Sequence, residues 1–127
     1  MIRAVPGPEM DATVAEHVMG WIYHPPSADT EGVAWWEVPE GDPTRDRFGS
    51  ADWPPCYSTD IAAAWPVLEK LRLKYTTVKI FAQNGWSVAL GLIHADGGEV
   101  WTVLVNAPTA PLAICKAALK AKGVNVE

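Results

Sequence analysis

Cysteine is scarce in this sequence: Cys56 and Cys115 are the two present in 127 residues. Two thiols build neither a disulfide scaffold nor a zinc cage of thiolates, and in a cytosolic setting both are expected to stay reduced and unbridged. Long apolar runs are missing as well. None approaches the roughly 18 residues of a membrane span, and Met1 to Pro8 lacks the basic-then-apolar layout of a signal peptide. A cytoplasmic protein without membrane contact is therefore expected. Positive charge is also in short supply. Ten Lys and Arg stand against fifteen Asp and Glu, a net charge of −5, which argues against long nucleic acid as a partner. No Walker loop, no dinucleotide-binding glycine fingerprint and no glycine elbow around Ser58 is present, so no enzyme is expected.

What the chain does have is apolar content and tryptophan. Apolar residues make up 49% and charged residues 20%, enough for a real core, and the length suits one domain over residues 1–127. Seven Trp outnumber three Tyr and two Phe. Each indole can bury a large face yet needs a partner for its N–H. Two uses stay open: core filling, or a flat-ligand pocket or interface. Charge is uneven, with three Arg against eleven acids in residues 1–66 and seven bases against four acids in residues 67–127.

Local patterns predict an α+β fold. Met10, Val14, Val18 and Trp21 share one helical stripe that Gly20 can end. Val33 to Val38 reads as a short strand on which Trp35 and Trp36 point to opposite faces. Residues 39–56, rich in Pro and Gly, form a long irregular loop with the character of a moving flap. A second helix begins after Tyr57-Ser58-Thr59-Asp60, with a kink or restart expected at Pro66. Val78–Ala82 and Trp86–Ile93 flank Gln83-Asn84-Gly85, a strong hairpin signal, and a second hairpin turns at Ala95-Asp96-Gly97-Gly98. The returning strand, Val100 to Val105, is apolar on both faces, so helices are expected above and below the sheet. A last helix starts at Thr109 and stops at Gly123.

Three segments together carry a family resemblance: Val14–Trp21 (VAEHVMGW), Tyr57–Trp65 (YSTDIAAAW) and Thr109–Leu119 (TAPLAICKAAL). In this order and spacing the chain resembles the phage ABA sandwich domain family, small proteins of bacteriophages and prophages. The resemblance implies a three-layer helix/antiparallel sheet/helix sandwich and a setting in the host cytoplasm. It carries over no catalytic residue and no cofactor, and Ala28 to Pro55 matches no family pattern.

The search for chemistry gives little. Asp42, Thr44 and Asp46 imitate the start of a calcium loop, but Arg47 stands where that loop needs glycine and Trp53 where it needs glutamate. His94 and Asp96 lack a third ligand at diagnostic spacing, so no metal is expected. The leading expectation is a non-catalytic phage protein that sequesters a small nucleotide-like ligand, such as a host immune signal. Arg45 and Arg47 would grip phosphate, Trp53 or Trp36 would stack on a base, and Tyr57, Ser58 and Thr59 at the helix start would supply hydrogen bonds. The alternative is a protein–protein module that masks a host protein. Self-association is expected in either case, through the strand carrying Trp35 and Trp36.

Overall fold

Two antiparallel three-stranded sheets and three helices make up the chain in the computed structural model, which describes residues 3–51, 53–82, 84–93 and 96–126. Gln83, His94 and Ala95, used in the turn and metal readings above, lie outside the described residues. The elements are α1 (Pro8–His17), β1 (Ile22–His24), β2 (Trp35–Glu37), β3 (Ser50–Ala51), α2 (Ile61–Lys74), β4 (Thr77–Ala82), β5 (Trp86–Ile93), β6 (Glu99–Ala107) and α3 (Ala110–Ala121). A single 3-10 turn lies at Ala28–Thr30.

Helix α1 follows its predicted stripe but ends earlier, at His17, and Gly20 turns the chain so that the Trp21 N–H donates to Ala15 O at 2.9 Å. Helix α2 is capped by Asp60, whose carboxyl accepts from the Ala62 N–H at 2.9 Å. It runs through Pro66 as one helix, so the expected restart does not occur. Helix α3 carries Pro in its first turn, and its buried side chains run from Pro111 to Leu119. It is the central helix, in contact with α1, α2, β5 and β6.

The β4–β5–β6 sheet is antiparallel throughout, as predicted. Asn84 and Gly85 both take positive φ, 50° and 107°, the requirement of a tight hairpin turn between β4 and β5. The inward face stacks Val78 on Leu90 and Val103, and Ile80 on Val88 and Val105, beneath the helices. The strand expected to be covered above and below differs on one side. Leu104 is 65% exposed, so the outward face of the sheet is open in the isolated chain.

The first sheet, β1–β2–β3, was legible only in its middle strand, which is shorter than the predicted Val33–Val38. Strand β3 forms inside the stretch read as an irregular flap. Within that stretch the Val38 N–H donates to Gly49 O at 2.9 Å, and the Asp46 carboxyl accepts from the Phe48 and Ser50 N–H groups at 2.8 and 3.0 Å.

Candidate functional site

Tyr57, Ser58 and Thr59 occupy a turn closed by Asp60 N–H on Cys56 O at 2.9 Å, just before α2. The turn points Ser58 inward. Its hydroxyl donates to Asp11 Oδ1 at 2.7 Å and accepts from the Gly7 N–H at 2.9 Å, while its own N–H donates to Asp11 Oδ1 at 2.8 Å. Ser58 thus ties α1 to the start of α2. Tyr57 is buried too, and burial, followed by the charges of Asp42 and Asp11, pushes its phenol far above the usual range. Thr59 is exposed. Of the N–H groups expected to receive an anion, that of Ala62 donates to the Asp60 carboxyl, that of Ser58 to Asp11, and those of Thr59 and Asp60 to Cys56 O.

The arginines and tryptophans engage different neighbours. Arg45 Nε donates to Val38 O at 3.0 Å, and its guanidinium lies against Gly49. Arg47 lies over the Phe48 ring, 4.8 Å from its centroid. Trp36 is core: it meets Trp21 at 6.0 Å, Tyr23 at 5.0 Å and Trp53 at 6.3 Å between ring centroids. Its Nε1 is buried without a hydrogen-bond partner among the described residues. Trp53 and Tyr23 are the exposed members of that cluster, 52% and 43%. Trp35, on the opposite face from Trp36, stacks on His24 at 4.1 Å. Of the seven residues named from the sequence, Trp36 and Trp53 are in contact; the arginines and the helix start do not join them in any hydrogen bond or ring contact on view.

Two other features are better formed. The first is a groove of about 680 Å³ between α2 and residues 39–44, walled by Pro39, Pro43, Tyr57, Trp65 and Pro66. Its charged residues are Glu40, Asp42, Glu69 and Lys70, an acidic balance that repels phosphate. Asp42 is fixed there because Trp21 Nε1 donates to its Oδ2 at 2.9 Å.

The second is the open sheet face, which sequence reasoning missed. Three cross-strand rows line it: Phe81–Ser87–Asn106, Lys79–Ala89–Leu104 and Thr77–Gly91–Trp101. A bulge at Leu90/Gly91 shifts the register and sets Trp101 opposite Gly91, against whose backbone the indole lies. Lys79 Nζ sits 4.9 Å from the Trp101 ring centroid, a cation–π contact. Asn106 Nδ2 donates to Ser87 Oγ at 2.9 Å. Phe81, Trp101 and Leu104 are all exposed on this face. Among the described residues no group of three His, Cys, Asp or Glu side chains could hold a metal ion. No described helix is long and apolar enough to cross a membrane.

Three helices and two antiparallel sheets around one buried cluster define an α+β sandwich. The chain belongs to the phage ABA sandwich domain family, whose profile matches residues 12–119. It is also similar to a phage protein from Bacillus cereus ATCC 14579 with a crystal structure at 2.0 Å. The two share 24% sequence identity and a TM-score of 0.62 over 97% of this chain and 94% of that one, a likeness of fold. No curated protein matches the chain.

Proposed function

We propose that this phage protein is a non-catalytic binding module that masks a host protein in the host cytoplasm, using the open face of β4–β6. One observation carries the reading: Phe81, Trp101 and Leu104 lie exposed on the same face of β4–β6, the face turned away from the helices. An aromatic-rich patch of this kind gains roughly 25 cal/mol per Å² when covered, and Trp is the residue most enriched in interface hot spots. Lys79 and Asn106, on the edge strands, supply polar groups beside these side chains. The test is affinity capture from host lysate with the wild type and Leu104→Glu side by side. A host protein retained by the wild type and lost by the variant is expected. Equal retention by both removes the reading.

A second reading, sequestration of a small nucleotide-like ligand, is favoured by the Lys79–Trp101 pair, which offers a ring for a base beside a cation for phosphate. Of the residues first named for it, Arg45, Arg47 and Ser58 support it less, because Val38 O, the Phe48 ring and the Asp11 carboxyl engage them, while Tyr57 is buried and Thr59 exposed. Denaturing the purified protein and finding released absorbance near 260 nm would favour this reading over the first. Calorimetric titration with cyclic dinucleotides, cyclic trinucleotides and ADP-ribose isomers, giving no heat, removes it.

A further inference from the structure

Helix α2 carries an apolar stripe on its outer side as well as on its core side. Ile61, Trp65, Glu69 and Leu73 follow one another at intervals of four, so they rise along one flank of the helix. Trp65 is 51% exposed and Leu73 84% exposed. Leu73 lies about two turns along the helix from the half-exposed Trp65, and covering both would remove apolar surface from water.

The two sides of this ridge are hollow. On one side lies the acidic groove against residues 39–44, about 680 Å³, and on the other a cleft of about 650 Å³ against the edge strand β4. Sixteen residues line the first and ten the second, with Trp65 and Leu73 common to both. Glu40 and Asp42 line the groove on its far side and Lys70 on the α2 side, whereas Lys74 and Arg72, the latter paired with Glu69 at 3.3 Å, line the cleft, so the groove is net acidic and the cleft basic.

We propose that this face binds a second copy of the chain, the Trp65–Leu73 ridge of each entering the acidic groove of the other. The charge pattern selects the symmetry. A two-fold axis running along α2 sets the two α2 helices side by side and parallel, and it lays the acidic lip of each copy on the basic cleft of the other. A two-fold axis across α2 would put acid on acid. Each contact is made twice, as an isologous pair requires, so the assembly closes at two copies. The open sheet face points away from α2 and α3 and stays available in the dimer.

Light scattering and sedimentation from 5 to 500 μM test this directly. The wild type is expected to give a dimer mass, twice 13.8 kDa, at the upper concentrations. Leu73→Glu changes a side chain that is already in water, so it keeps the fold by circular dichroism and is expected to raise the dimer dissociation constant at least tenfold. Glu40→Lys and Arg72→Glu should each weaken the dimer, and the two together should restore it. A monomer mass across the whole range overturns the proposal. So does a wild-type dimer that survives Leu73→Glu and the single charge reversals. A dimer broken by Leu104→Glu but not by Leu73→Glu would place the contact on the sheet face, overturning this proposal and the host-partner reading together. Equal host capture by the wild type and Leu104→Glu, with the dimer intact, overturns the host-partner reading alone.

Discussion

Ser58 and Asp11, 47 positions apart, meet in the core through two hydrogen bonds to one carboxyl oxygen, from the Ser58 hydroxyl at 2.7 Å and its N–H at 2.8 Å. Both residues are buried, and the same hydroxyl accepts from the Gly7 N–H at the start of α1. Ser58→Ala leaves the Gly7 donor without its acceptor and removes one of the two bonds to Asp11. A loss of about 1–3 kcal/mol in unfolding free energy is expected, read from the midpoint of urea denaturation. A change within experimental error would mean that the hydroxyl does not tie the helices. Binding to any partner should be unaffected at temperatures where the variant is folded.

Acid should loosen the 39–56 loop through Asp46. Hydrogen bonds from the Ser50 and Phe48 N–H groups, with help from the Ser50 hydroxyl and Arg45, hold its carboxyl below the ordinary value of 3.8. A lowered carboxyl pKa contributes stability that is fully present above the unfolded value and is lost as pH falls through the folded one. The loss is therefore confined to pH below about 4. Asp46→Asn should flatten the thermal-unfolding midpoint against pH between 2 and 4 and leave its slope above pH 5 unchanged. Parallel profiles for wild type and variant would contradict this.

What the sequence revealed depended on how local the determining contacts are. The Asp60 cap, the Asn84–Gly85 turn and the stripe of α3 are set by neighbours within a few positions, and all three could be read directly. Strands β1 and β3, three and two residues long, exist only because each pairs with β2 from a distance, and no periodicity fits in so short a span. Ser58 sits where a helix cap or anion ligand is expected, and only the remote Asp11 turns it inward. Arg45 and Arg47 look like a pair in sequence, yet Val38 O takes the first and the Phe48 ring the second. Strand β6 hid its open face because the outward Trp101 and Leu104 are as apolar as the inward Val103 and Val105.

The two cysteines should differ sharply in reactivity. Cys115 lies on the buried side of α3, and burial, with Asp11 adding to it, pushes its thiol far above the usual range. Cys56 is exposed. Since the thiolate is the reactive form, iodoacetamide at pH 7.5 should label Cys56 in the folded protein and reach Cys115 only after denaturation. Intact-mass spectrometry reads the result as one adduct against two. Two adducts on the native protein would show that α3 opens readily.

Gly91 and Trp101 give the sharpest test of the sheet face. A Cβ added at Gly91 would come within 2.8 Å of Trp101 Cε3 and 3.2 Å of Val100 O. Because the ring is partly in solvent, it can swing outward, but doing so breaks its seat on β5 and its contact with Lys79. Gly91→Ala is therefore expected to cost about 1–3 kcal/mol, the usual range for overpacking. In a Trp101→Ala background the nearest obstacle disappears while the close approach to Val100 O at 3.2 Å remains, so the cost of Gly91→Ala should shrink. The double-mutant cycle thus predicts a positive coupling between the two positions, measured by urea denaturation of the four proteins. Equal effects of Gly91→Ala in both backgrounds would mean that Trp101 does not lie on Gly91, and the face proposed to meet a host protein would lose the seat of one of its two aromatic rings.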